Sequence, residues 1–228
     1  MVLNNFPRWS NADHYNYLAT IDEFVSRLCP KQRDSVWHKL NGSDSQFLDT
    51  IVESAWALYF WDNGISVDLE KKFDPSRPEL GDADFYIFHE GLSYWLDATS
   101  VAFCRRPNSR EELIATLAKR AKDKYRVKFT SAATSAHLKC SSVGVLLCVL
   151  RREPSVFPLL VSDLCENVQF PAPPTLFDDQ RPSLTLVCVH TLSSDRRSDV
   201  LRPSPIITWM PNKSNSEAAV SSGATLAS

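Results

Sequence analysis

The run VGVLLCVL at residues 143–150 carries no charged side chain and no alternation of polar with apolar residues. A strand with one wet face alternates, so an unbroken apolar run of this length predicts a strand covered on both faces, in the middle of a sheet with helices above and below. A second segment imposes the same need for cover. SDSQFLDTIVESAWALYFWDNG, residues 43–64, reads as a helix with Ser43 and Gln46 as its capping box and Asn63-Gly64 as its stop. Phe47, Leu48, Ile51, Val52, Ala55, Leu58 and Tyr59 form one stripe, yet Trp56, Ala57 and Phe60 lie opposite, beside Glu53. A helix apolar nearly all round is buried. Glu53 is therefore a carboxylate in a poor solvent.

The other elements follow from period and punctuation. Residues 13–40 predict one or two helices interrupted at Pro30. ISVDLEKKF, 65–73, alternates as a strand with Ile65, Val67, Leu69 and Phe73 on one face. GDADFYIFHEGLSYWLDATSV, 81–101, reads as two strands, the first starting at Asp84, joined by a turn at His89-Glu90-Gly91. NSREELIATLAKRAKDKYRVKF, 108–129, is a helix capped by Ser109 and Glu112 with Leu113, Leu117, Ala121 and Tyr125 inward. VFPLLVSDLCEN, 156–167, predicts a helix, and SLTLVCVHTL and PIITWM two further strands. This order of elements argues an α/β (α+β) fold, a mixed central sheet flanked by helices. The expected organisation is an N-terminal helical region (1–42), the α/β domain (43–210) and a disordered tail (211–228).

Composition narrows the classes. No apolar run approaches the roughly 20 residues of a membrane span, and the first residues lack the basic and apolar regions of a secretory signal, so a cytoplasmic protein is expected, with no membrane partner. Six cysteines are scattered without a CxxC pair, and the lone HLKC pairing of His137 and Cys140 does not make a zinc site. No GxSxG elbow, phosphate-binding glycine loop, GxGxxG fingerprint or HExxH is present. From Arg105 to Lys128 nine Lys or Arg stand against three acids, a basic patch suited to phosphates.

Asp84 and Asp97 are the exceptional residues of the hairpin. Asp is disfavoured inside strands, and a carboxylate among apolar neighbours needs a partner, a proton or a metal. On alternating strand geometry Asp97 shares its face with Ser93, Trp95 and Thr99. Asp82 competes with Asp84 as the acid of the first strand, and an ion pair of Asp97 with Lys71 or Arg105 is the rival to a site role.

Glu53 on a buried helix, Asp84 on one strand, Asp97 on the next and Thr99 two residues on, followed by a basic helix, resemble in order and bearing elements the PD-(D/E)XK, or restriction-endonuclease-like, nuclease superfamily. The resemblance covers roughly residues 43–150. It implies a metal-dependent nuclease-fold protein hydrolysing phosphodiester bonds of nucleic acid, with DNA the expected partner. It further implies Asp84 and Asp97 as ligands of Mg²⁺ (or Mn²⁺), with Glu53 and Thr99 completing the catalytic set. The family's lysine is replaced by Thr99, which cannot supply positive charge. Lys71, Lys72 and Lys124 are the topological candidates to replace it. Arg105, Arg106, Lys119, Lys122, Lys124 and Lys128 are the expected nucleic-acid contacts. The alternative is a catalytically inactive nuclease-derived domain that binds nucleic acid or another protein.

Overall fold

A computed structural model describes residues 11–101, 103, 107–130, 138, 141–150, 172–173, 175–177, 184–194 and 198–211. The expected helix at 156–167, Arg105, Arg106, the His137/Cys140 pairing and the tail from 212 lie outside the described residues. Within them run helices α1 (Asn11–Ser26), α2 (Pro30–Leu40) and α3 (Asp44–Asp62) and strands β1 (Val67–Lys72), β2 (Asp82–His89) and β3 (Leu92–Val101). Helix α4 (Arg110–Phe129) and strands β4 (Ser142–Val149), β5 (Leu184–Ser194) and β6 (Leu201–Trp209) follow.

All six strands form one sheet in chain order, antiparallel at β1-β2, β2-β3 and β5-β6 and parallel at β3-β4 and β4-β5. The fold is α+β, a mixed sheet flanked by four helices. Strand β4, the unbroken apolar run, is buried from Val143 to Val149. One face packs Val143, Val145 and Leu147 with Trp95, Val187, Val189 and the Leu113, Leu117, Ala121, Tyr125 and Phe129 stripe of α4. The other packs Leu146 and Cys148 with Leu96, Ala98, Phe85 and α3. Helices α1 and α2 add Ile21, Phe24, Val36 and Leu40 to this second core, and the connection between them adds Leu28, so the N-terminal helices belong to the same hydrophobic body as α3.

Local chemistry sets the element ends. Ser43 Oγ accepts from the Gln46 N–H while the Gln46 side chain accepts from the Ser43 N–H, and Gly64 takes a positive φ of 71° just past α3. Ser109 Oγ caps α4 by accepting from the Glu112 N–H, while the Glu112 carboxylate accepts from the N–H of Asn108, one residue before the cap. Between β2 and β3 the chain reverses over Glu90 and Gly91, both at positive φ, as a two-residue hairpin loop of right-handed twist requires. Strand β6 begins at Leu201, earlier than PIITWM suggests. It tolerates Pro203 and Pro205 because it is the edge of the sheet, where a missing N–H costs no ladder bond.

Two expectations need correction. Strand β2 begins at Asp82, so Asp84 is its third residue and not its first. Phe73 does not share a face with Val67 and Leu69, which pack on the α3 side; it lies in the α4 core against Trp95 and Phe129. The alternation breaks at Glu70, a non-glycine residue at φ 50°, a conformation that costs an L-residue of order 1 kcal/mol.

Candidate functional site

The β2–β3 hairpin is zipped from His89↔Leu92 to Phe85↔Leu96. One step further Asp84 would face Asp97, and there the backbones part. The Ala98 N–H donates to Asp84 Oδ2 at 2.8 Å, and the Ser100 N–H donates to Asp49 Oδ1 at 2.7 Å. Carboxylates thus take over the free edge of β3, while its other edge stays paired with β4 up to Val101. Meanwhile β2 continues with β1 as far as Lys72↔Asp82. The sheet forks, and acids line the fork.

Asp97 sits on the α4 face and is 0% exposed; Asp84, across the fork, is 8% exposed. Helix α4 sends two lysines one turn apart to meet them. Lys124 Nζ stands 2.9 Å from Asp97 Oδ2. Lys128 Nζ stands 3.2 Å from Asp97 Oδ1, 3.7 Å from Asp84 Oδ1 and 3.6 Å from Asp82 Oδ1. The ion pairs to Asp97 are close but oblique, so its two buried oxygens gain charge pairing without an aligned hydrogen bond among the described residues. Lys124 and Lys128 therefore turn inward, and of the expected nucleic-acid contacts only Lys119 and the half-buried Lys122, which donates to the Thr175 carbonyl, remain on the outer surface among the described residues. A long aliphatic stem lets a lysine on an apolar helix face reach back over the core, which a count of basic residues does not register.

Glu53 enters from α3. Lys39 Nζ donates to Glu53 Oε2 at 2.8 Å and lies 2.8 Å from Glu70 Oε1, and the Ser35 hydroxyl donates to Glu70. The strained Glu70 thus joins the rim. Glu53 and Asp84 border a cleft walled by Leu28, Val36, Leu69 and Phe85. Thr99 Oγ1 makes a long 3.5 Å contact to Asp49 Oδ1.

Of the remaining candidates, Lys71 pairs with Asp68 and lies over the Tyr86 ring, and Lys72 pairs with Asp82. Neither pairs with Asp97, and the pairing of Asp97 with Lys71 is replaced by one with Lys124 and Lys128. His89 is exposed at the hairpin tip beside Glu90.

Electrostatics set these carboxylates apart from ordinary ion pairs. Burial pushes Asp84 well above the usual carboxylate range, and the charges of Asp97 and Glu53 push further, against Lys128 and Lys124. Glu53 is also raised, by burial first, with Lys39 opposing and Asp97 and Asp49 adding. Burial pulls Lys128 and Lys124 down, but Asp97 and Asp84 outweigh it and hold both ammonium groups above their ordinary value. Asp82 behaves differently: burial would raise it, but Lys72 and Lys128 hold it below the usual range. Six acids (Asp49, Glu53, Glu70, Asp82, Asp84, Asp97) face four lysines (Lys39, Lys72, Lys124, Lys128), leaving negative charge in excess.

Sequence reasoning missed Asp49, Lys39 and the inward turn of Lys128. Asp49 had a signal: it lies four residues before Glu53, on the same side of α3.

Among the described residues no group of three or more His, Cys, Asp or Glu side chains is disposed to hold a metal ion. A hard divalent cation does not require three; Mg²⁺ is commonly held by one or two carboxylates with waters and substrate phosphates completing its shell. Asp84 and Asp97 share one ammonium, both oxygens of Asp97 are buried without an aligned hydrogen bond, and Asp84 keeps Oδ1 free of the Ala98 N–H that Oδ2 accepts, so the pair fits that donor chemistry.

No family model, curated protein or solved structure matches this chain. Among the described residues no helix is long and apolar enough to cross a membrane.

Proposed function

We infer that this chain is a metal-dependent nuclease-fold protein that hydrolyses phosphodiester bonds of nucleic acid, DNA in the first instance. The observation that carries the reading is the pair of buried carboxylates, Asp84 and Asp97, meeting over one cation where the sheet forks. Ion-paired scaffolding places acids opposite bases one for one. Here burial and the charges of Asp97 and Glu53 raise the proton affinity of Asp84, burial and the charge of Asp97 raise that of Glu53, and Glu70 bears backbone strain beside them, as functional sites do.

Asp84 and Asp97 would hold Mg²⁺ or Mn²⁺. Bound there, the ion would supply an acidified water and neutralise charge on the scissile phosphate. Lys124 stands in for the lysine that Thr99 replaces: its ammonium is already at Asp97, and its side chain is partly exposed, so it can reach a phosphate oxygen in which charge develops. Glu53, steadied by Lys39, keeps negative charge near the attacking water. Asp49 fixes the free edge of β3 and with it the position of Thr99, whose hydroxyl can orient water. Lys119 and Arg120 on the outer side of α4 are available to the phosphate backbone.

A second reading, a domain that binds nucleic acid without cleaving it, is favoured by the lysines that already neutralise Asp97. Plasmid DNA incubated with the protein and Mg²⁺ or Mn²⁺ separates the two. Nicking that requires metal and disappears in Asp84→Ala and Asp97→Ala supports hydrolysis; salt-sensitive retention of intact DNA supports binding alone; neither result leaves no nucleic-acid function.

A further inference from the structure

We propose that Lys128 is an internal cation that competes with the divalent metal for Asp84 and Asp97, so that metal binding expels its ammonium from the fork. The inference rests on the metal reading above and concerns how the site is gated. Two lysines one turn apart on α4 contact Asp97, but they do so differently. Lys124 touches a single oxygen, Asp97 Oδ2. Lys128 bridges three acids, Asp82, Asp84 and Asp97, within 3.7 Å of each, and of the two it alone stands between the carboxylates that a shared ion would join. Both oxygens of Asp97 are buried and rely on these ammonium groups in place of aligned hydrogen bonds. A monovalent cation in that position stabilises the empty site and must yield before a divalent one can enter.

The side chain has somewhere to go. Its side chain is 25% exposed, so a rotamer change of the long flexible stem gives the ammonium a route to solvent. Asp82 at the outer edge remains paired with Lys72 at 2.9 Å when Lys128 leaves. Lys124, paired with the other oxygen of Asp97, is not displaced by the same event, which divides the roles: Lys124 stays to act and Lys128 guards.

The competition has a direct readout in binding of Mn²⁺ alone, followed by the electron paramagnetic resonance signal of the free ion on the full chain. Lys128→Met should bind Mn²⁺ at least about tenfold more tightly than wild type, since a unit positive charge within 4 Å of the ligands is removed. Lys128→Arg, which keeps the charge, should not. Should Lys128→Met fail to fold by circular dichroism, Lys128→Gln answers the same question. Equal Mn²⁺ affinity in wild type and the neutral variant overturns the competition while leaving the metal site standing. Absence of Mn²⁺ binding at millimolar concentration in both overturns the metal reading itself, and the gating with it.

Discussion

If Asp84 is held in the fork for function, then removing its charge should make the protein more stable. Asp84→Asn is the appropriate perturbation because an amide oxygen can still accept the Ala98 N–H now bonded to Oδ2 at 2.8 Å, so only the charge is lost. The Lys128 ammonium 3.7 Å away offers Asp84 roughly 4 kcal/mol of attraction at an effective dielectric near 20. That ammonium is shared with Asp97 and Asp82, and Asp97 and Glu53 repel Asp84. The repulsion from Asp97 and Glu53 outweighs the attraction of Lys128 and Lys124, so the cost of burying the carboxylate stands uncompensated. We expect Asp84→Asn to stabilise the fold by about 1–2 kcal/mol, a rise in Tm of roughly 2–8 °C for a chain of this size.

The pH dependence gives a second handle on the same residue. With its folded pKa raised, native Asp84 holds a proton that the unfolded chain has released once pH passes about 3.9. Its contribution to stability therefore falls as pH rises from there to the folded pKa, and stays low above it. The advantage of the Asp84→Asn variant should widen over that window. Urea unfolding in chelator at pH 5 and pH 8 measures both effects. A variant less stable than wild type by 1 kcal/mol at pH 8, or an advantage that shrinks with rising pH, would refute the reasoning and return Asp84 to the role of an ion-paired scaffold.

Other residues are open to test in the same way. His190 is fully buried in β5, accepts the Trp56 indole N–H at Nε2 over 2.9 Å, and is held neutral, its pKa pushed down to about 3 by burial. Its stabilisation is complete above about pH 6.5 and is lost as pH falls towards 3, by up to about 1.4 kcal/mol per unit; acid unfolding of His190→Gln should show a shallower slope, and an unchanged slope would reject the assignment. Asp49→Ala leaves the Ser100 N–H without its acceptor and should cost about 1–3 kcal/mol in urea unfolding, whereas Asp49→Asn, which keeps an acceptor, should cost little.

Much of the architecture was legible because particular segments admit few alternatives. VGVLLCVL could only be an interior strand, Ser43 with Gln46 and Ser109 with Glu112 mark helix starts, and Glu90-Gly91 supplies the two positive φ angles of a tight hairpin. The sheet face of Phe73 was not legible, since the single left-handed residue Glu70 that moves it carries no sequence mark of a glycine or asparagine. Asp84 and Asp97 stand out on their strands as costly residues, but their mutual approach depends on where the hairpin unzips. That point is fixed by Asp84 and Asp49 taking the N–H groups of Ala98 and Ser100, contacts spanning 14 and 51 residues. Lys124 and Lys128 looked like part of a solvated basic face because charge counting ignores the direction of a side chain. Their i, i+4 spacing, in step with Leu117, Ala121 and Tyr125, was the available clue.

The account stands or falls on a divalent cation joining Asp84 and Asp97. Crystals soaked in Mn²⁺ and measured at the manganese absorption edge test this directly. We predict an anomalous peak between the two carboxylates, with Lys128 turned away towards solvent. Crystals that take up no manganese there, with the Lys128 ammonium still bridging Asp84 and Asp97, would contradict it.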